Sequence, residues 1–297
     1  MSRISKQAKA DFSLLSVAFV WGVTFVVIQD ALSDITPHYF NAIRFFLAFL
    51  FLAAVYHRRF TSIDKSTFFI GVFIGIFLFS GYAFQTVGLQ YTTASKSGFI
   101  TGLAVVLVPV LTAFILRRMP TAYAIIGVIS ATVGLGLLSL DQGINQINFG
   151  DILTFFCALS FGLHITMVGK FAPNNDTVLL TLIQIATVTV ISLIFGIFTE
   201  TVPKAQSFTQ PVWIALMVTA IPATALAYLI QNNVQKFTTP THTAIIFTME
   251  PVFAALTAIV LAGEVLTTKQ FLGCGLILVG MLAAELKGTG ALAKITE

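Results

Sequence analysis

Ten long apolar runs, each followed by a short polar connector, constrain this chain more than any other feature of its sequence. They cover approximately residues 12–29, 38–56, 67–89, 95–116, 121–140, 150–168, 177–198, 211–231, 242–262 and 269–286. An α-helix needs roughly 20 residues to cross about 30 Å of hydrocarbon, a length these runs approach or exceed. In lipid every backbone polar group must be bonded internally, so spanning segments are helices or closed barrels. A barrel would show shorter stretches of alternating hydrophobicity. The spacing predicts an all-α integral membrane protein with about ten transmembrane helices.

Composition agrees, because only 9% of the residues are charged. A soluble domain carries about a quarter, so lipid must solvate most of this surface. The net charge of +4 does not point to nucleic acid, since the basic residues sit in short clusters between apolar runs. Cys157 and Cys274 lie inside apolar runs without a CxxC spacing or neighbouring histidines, and read as small core hydrophobes. No metal site is expected. Met1 to Asp11 is polar and no small-residue cleavage site follows the first apolar run, so residues 12–28 read as a retained span.

The connectors orient the helices. Arg3, Lys6, Lys9, Arg58, Arg59, Lys65, Arg117, Arg118, Lys170, Lys236, Lys287 and Lys294 occupy the termini and even-numbered connectors, twelve of the sixteen Lys and Arg. The odd-numbered connectors hold Lys96, Lys204 and Lys269, and the first is acidic through Asp30 and Asp34. By the positive-inside rule both termini are expected in the cytoplasm.

The halves resemble one another. Asp11 and Asp151 each stand ten residues before an aromatic-glycine pair, Trp21-Gly22 and Phe161-Gly162. Tyr82-x-x-Gln85 with Tyr91-Thr92-Thr93 maps onto Tyr228-x-x-Gln231 with Phe237-Thr238-Thr239 at an offset of 146, which also relates Gly127 to Gly273 and Gly134 to Gly280. Pro109 and Pro251 differ by 142, so four additional residues are expected in the fourth span. Repeats of five spans, an odd number, must enter the bilayer from opposite sides; residues 1–141 and 142–297 are the expected units. Inverted repeats with proline-interrupted helices are the architecture of secondary transporters.

Polar groups inside the hydrocarbon mark the candidate site. Glu250 stands near the centre of the ninth span, directly before Pro251, and needs an interior or aqueous environment. It reads either as a substrate or proton handler or as a structural partner. Arg44, in the outer half of the second span, either pins helix packing against an acid or carbonyls or holds an anionic solute. His164 is expected to be a hydrogen-bonded core group or a proton handler, and Gln184, Asn232 and Asn233 to bond helices together. Lys96 and His242 begin spans, where solvated ends are expected. Trp21, Tyr82, Gln85, Tyr228 and Gln231 could wall and orient an organic solute; equally, the aromatics could be interfacial. Gly71-x-x-x-Gly75 and Gly98-x-x-x-Gly102 permit close helix contact, and Gly98, Gly102 and Pro109 in one span suggest bending.

No nucleotide-binding GxxxxGK[ST], no HExxH and no credible Ser, His and Asp arrangement occurs, so an enzyme is not expected.

The ten-span plan, Trp21-Gly22, the stretch from Gly88 to Ala94, Thr101-Gly102-Leu103 with Val108-Pro109, the run from Glu250 to Leu256, and Gly263-Glu264 followed by Gly273 resemble the EamA-type family of the drug/metabolite transporter superfamily. The resemblance covers nearly the whole chain. It implies two inverted five-helix repeats around a central cavity in a bacterial-type cytoplasmic membrane, transport of amino acids or other small metabolites, proton coupling in some relatives, and dimer contacts. Val108 would match Glu250, so a paired carboxylate is absent and proton coupling is in doubt.

The reading that follows is a secondary transporter for a small organic metabolite, such as an amino acid, by alternating access. Trp21, Arg44, Tyr82, Gln85, His164, Tyr228, Gln231 and Glu250 are its candidate substrate-binding residues; Gly98, Gly102, Pro109 and Pro251 are its candidate gating positions. No cofactor is expected, and the partners are membrane lipid and the solute. A homodimer would use glycine-rich faces such as Gly127, Gly134 and Gly136 or Gly273, Gly275 and Gly280. The alternative is a non-transport scaffold or receptor.

Overall fold

The computed structural model describes residues 6–92, 94–139, 147–262 and 267–285. Arg3, Lys287, Lys294, the Gly263-Glu264 pair and the side chain of Lys96 lie outside the described residues. The described chain is helical throughout: α1 Lys6–Ala31, α2 Pro37–Val55, α3 Lys65–Gly88, α4 Ala94–Gly102, α5 Ala104–Leu116, α6 Ala122–Ser139, α7 Phe149–Phe171, α8 Thr177–Thr199, α9 Gln210–Ala220, α10 Ala227–Val234, α11 Pro240–Phe247, α12 Met249–Ala262 and α13 Thr268–Glu285. Six helical stretches among the described residues are long and apolar enough to cross a bilayer: 37–55, 65–88, 97–116, 149–174, 177–199 and 210–237, with α6 and α13 as shorter apolar helices. Phe114 and Phe198, at 81% and 82% exposure, show that the outer surface is apolar. The molecule is a multi-pass membrane protein.

Sequence chemistry sets the helix starts. Asp64 accepts the Thr67 amide and hydroxyl at 2.8 Å each, and these bonds hold its carboxyl below the usual carboxylate range. Asn148 and Asp151 form a reciprocal capping box on α7, and Asp176 caps α8. Pro37 and Pro240 begin α2 and α11, where the missing N–H costs no helical bond.

Two of the spans are broken. The ninth begins a new helix at Met249 after ending the previous one at Phe247, four residues before Pro251 and so the residue whose carbonyl the proline ring crowds. The fourth breaks at Leu103, immediately after Gly102. Pro109 does not make this break; it lies within continuous α5. Nor does the fourth span carry four additional residues. The break itself, 102–104 in this span and 247–249 in the ninth, keeps the 146-residue offset within one residue. At that offset the position matching Glu250 is Ala104, not Val108, and the second carboxylate is still missing.

Small residues determine which helices touch. A Cβ on Gly71 or Gly75 would meet Ile183 or Thr187 of α8 at 2.7 Å, which fixes α3 against α8. Between α6 and α13, a Cβ on Gly127, Gly134, Gly273 or Gly280 would stand 2.7 Å from the facing glycine's carbonyl oxygen. These four glycines are consumed by packing within the chain, which corrects their expected place in a dimer face. Gly136 and Gly275 have open space instead.

Contacts between connectors sort them to two ends of the bundle. Asp11 lies 3.1 Å from His242, Arg59 pairs with Asp176 at 2.6 Å, and Gly169 packs on Pro240. At the other end Thr209 donates to Asp34, the Glu200 carboxylate accepts the His38 and Tyr39 amides, and Thr92 donates to Asp151. The first end carries most of the described connector Lys and Arg.

Candidate functional site

A cavity of about 310 Å³ occupies the middle of the bundle. All eight sequence-selected binding candidates line it, from Trp21 on α1 through Arg44 on α2, Tyr82 and Gln85 on α3, His164 on α7, Tyr228 and Gln231 on α10, to Glu250 on α12. Gly98, Gly102 and Pro251 line it too. Pro109 does not: with Val106, Phe114 and Pro120 it borders a separate apolar groove on the outer face.

The turn from Ile221 to Leu226, between α9 and α10, organises one wall. It is a π-helical turn containing Pro222, whose ring cannot donate to the helical ladder. Its Ala223 carbonyl accepts the Trp21 indole N–H at 2.8 Å and the Arg44 guanidinium at 3.4 Å. Arg44 also donates from Nε to the Thr224 hydroxyl at 2.7 Å and from Nη2 to the Tyr82 phenol at 3.4 Å. Its guanidinium lies 4.8 Å from the centre of the Tyr82 ring. Every one of these partners is neutral, and Arg44 is only 2% exposed. The acidic partner considered for Arg44 is therefore absent among the described residues, and its charge is held by dipoles and an aromatic face.

Glu250 sits in the first turn of α12, where unsatisfied amides and the helix dipole favour a negative charge. Its carboxylate has neither hydrogen bond nor ion pair among the described residues. The backbone explains how α1 reaches it: a Cβ at Gly22 would stand 2.5 Å from the Glu250 carbonyl oxygen. Only glycine lets α1 lie on α12 there, which aims the adjacent Trp21 into the cavity wall.

Aromatic rings complete the enclosure. Tyr228 donates to the Tyr82 hydroxyl at 2.9 Å, and Trp21 packs 4.9 Å from Phe247 and 5.6 Å from Tyr228, centre to centre. Tyr82 meets Phe161 edge-on, and a side chain at Gly81 would collide with that ring. These aromatics wall an internal cavity, so the interfacial alternative does not describe Tyr82 or Tyr228, which are 6% and 2% exposed. His164 bonds Gln184 at 2.9 Å as a buried core pair. Asn232 donates to Thr181, and Thr177 donates to Asn233, joining α10 to α8. Gln85 keeps its amide free among the described residues.

His242 differs from the solvated end expected of it. It is buried with Asp11, 3.1 Å away, because α1 and α11 converge at that end of the bundle. The cavity lining stops on this side at Ile165, Gln231 and Ala244, and on the other side extends to Leu89 and Gln270 near the ends of α3 and α13. Thr24, Thr101, Phe161, Phe247, Thr248 and Gln270 are lining residues that sequence reasoning passed over. Pro222 was the available signal for the Ala223 and Thr224 contacts, since a proline inside the eighth run marks a disturbed helix.

The profile of the EamA-like transporter family matches residues 8–140 and 148–284. The chain belongs to the EamA-like transporter family. As a member of that family it is a membrane transporter and not an enzyme, and the scaffold alternative falls. An uncharacterized transporter of Archaeoglobus fulgidus is 37% identical over 282 residues, spanning 95% of this chain and 87% of the relative. The uncharacterized transporter YoaV of Bacillus subtilis is 24% identical over 282 residues, spanning 92% and 95%. A solved crystal structure superposes with a TM-score of 0.80 at 16% identity, covering 95% of this chain and 98% of the other, a likeness of fold.

Proposed function

We propose that this EamA-family protein is a secondary carrier for a small zwitterionic solute of the amino-acid class, working by alternating access. One observation carries the proposal: a single cavity holds a guanidinium, Arg44, and a carboxylate, Glu250, and neither has an oppositely charged protein partner among the described residues. Ionised groups at membrane depth are expensive and mark solute or proton paths. A zwitterion supplies both missing charges at once. In this reading Arg44 and Gln85 take the solute carboxylate, Glu250 takes its ammonium or a proton, and Trp21, Tyr82 and Tyr228 form the apolar walls around it. His164 orients the wall through Tyr228, whose ring it meets edge-on.

The proposal includes ten spans in two inverted repeats, residues 1–141 and 142–297, with both termini in the cytoplasm. Three things support it: element boundaries recurring at 146 residues, the two separate family matches, and the basic connectors gathered at one end. The Asp11–His242 pair and the Gly169–Pro240 contact close the basic end below the cavity. Inward opening requires those contacts to part, with Gly98, Gly102 and Pro251 at the broken helices as pivots. Pro109, away from both breaks and the cavity, has no role in this opening.

Purified protein in proteoliposomes is expected to give saturable uptake of at least one of the twenty L-α-amino acids, assayed with and without a pH gradient. Absence of saturable flux for the whole panel from monodisperse protein overturns the zwitterion assignment. Dependence on the gradient distinguishes proton coupling from facilitated diffusion.

A further inference from the structure

Gln231 lines the cavity, but its amide is not free to turn. Its Nε2 donates to Gln235 Oε1 at 3.0 Å, and Gln235 Nε2 donates to the backbone carbonyl of Ile165 at 3.0 Å. A carbonyl can only accept, so Gln235 must present its NH₂ to Ile165. That leaves Gln235 Oε1, also only an acceptor, facing Gln231, which must answer with its own NH₂. Gln231 Oε1 is the one group of this relay without a partner, and it is buried. Both glutamines are 1% exposed, so bulk water does not reset the arrangement. Gln235 itself is not part of the cavity lining; it stands on the short turn after α10, beside α7.

Resting on the carrier reading above, we propose that Gln235 is a positioning residue that sets the hydrogen-bond polarity of the cavity. By locking Gln231 as an acceptor it gives the solute ammonium a second acceptor besides Glu250, and so selects amine-bearing solutes over their deaminated analogues. A site built to bond an N–H discriminates strongly against an analogue lacking it, because its own polar group is then left unpaired.

The test measures dissociation constants by ligand-dependent thermal unfolding in detergent, using L-leucine and L-phenylalanine against 4-methylpentanoate and 3-phenylpropanoate. Wild-type protein is expected to prefer at least one amine over its deaminated partner by about tenfold or more. Gln235→Met, of similar shape but unable to accept or donate as an amide does, is expected to reduce that ratio roughly tenfold. Gln235→Lys donates only; it turns Gln231 so that its NH₂ faces the cavity, and is expected to lower the ratio below that of the Met variant. A residue that merely supports packing would weaken amine and analogue together and leave the ratio unchanged, which overturns the inference. Should Gln235→Met not fold, the Lys variant decides by the same ratio, and a wild-type protein with no amine preference overturns the inference without any variant. Binding of an amino acid with an unaltered ratio in the variants defeats this inference alone. Failure of all twenty L-α-amino acids to bind or move defeats the zwitterion reading and this inference with it.

Discussion

Glu250 and Arg44 share one cavity, yet they are held differently, and that difference predicts different mutant behaviour. Arg44 is embedded in neutral acceptors supplied by Thr224, Ala223 and Tyr82. Arg44→Met strands those acceptors and removes the carboxylate's charge partner; solute affinity is expected to fall roughly 10- to 100-fold, with a lowered unfolding temperature. Arg44→Lys should not restore affinity, because an ammonium cannot reproduce the planar donors and ring contact of a guanidinium. Glu250 has no hydrogen-bond or ion-pair partner among the described residues, so Glu250→Gln is expected to leave the unfolding temperature nearly unchanged. The same substitution should lower amino-acid affinity roughly 10- to 100-fold and alter the pH profile of uptake. Wild-type uptake with an unchanged pH profile would remove Glu250 from the mechanism.

At the level of helices, glycine sets the distance of approach and proline sets the interruptions. The α6–α13 seam brings Gly134 and Gly273 so close that an added Cβ on either meets backbone, which no rotamer change relieves. Gly134→Val is therefore expected to destabilise the protein by about 2 kcal/mol or more. Gly136→Ala, on the same helix with nothing within 4 Å, should change stability by no more than about 0.5 kcal/mol. Thermal unfolding in detergent checks the pair, and equal effects would contradict the seam. The two broken spans carry different residues at equivalent places: Gly102 before one break, and Thr248 at the other with Pro251 after it. Thr248 donates both its amide and its hydroxyl to the Ile245 carbonyl, at 3.1 and 2.6 Å, closing the last turn where α11 stops.

For the whole molecule, the testable quantity is which end faces the cytoplasm. In a Cys274→Ser background, a cysteine replacing Lys204 is expected to react with a membrane-impermeant maleimide on intact cells. One replacing Arg118 should react only after the membrane is opened. Both side chains are exposed, on connectors at opposite ends of the bundle. The reverse labelling pattern would invert the proposed orientation. Alternating access adds a further expectation at this scale. Because Asp11 and His242 tie α1 to α11 beneath the cavity, His242→Phe should favour the state open at the basic end, read as increased labelling of cavity cysteines from that side.

Much of this was legible without coordinates because a bilayer imposes one-dimensional rules. Apolar length gave the helical class, connector charge the expected orientation, and depth within the apolar runs marked Glu250 and Arg44 as groups that need an interior, while the Tyr-x-x-Gln aromatics read equally well as interfacial. All eight substrate-binding candidates, Trp21 and His164 among them, line the cavity. Contact geometry was not legible, because a hydropathy pattern carries no information about which faces meet. Glycines 127, 134, 273 and 280 read equally well as dimer faces or internal seams until α6 and α13 were seen to pack on each other. His242 read as a solvated end until its partner, 231 residues away in sequence, was found beside it. Pro109 and Pro251 pair as repeat prolines only if four additional residues are assumed, and only Pro251 follows a break at the ring's own reach. The sequence by itself determined the solvent, the helical class and the residues costly enough in lipid to need an interior. Tertiary structure alone decided which of them share a cavity, which charges go unpaired there, and which amide atom Gln231 leaves free, since each depends on neighbours far apart along the chain.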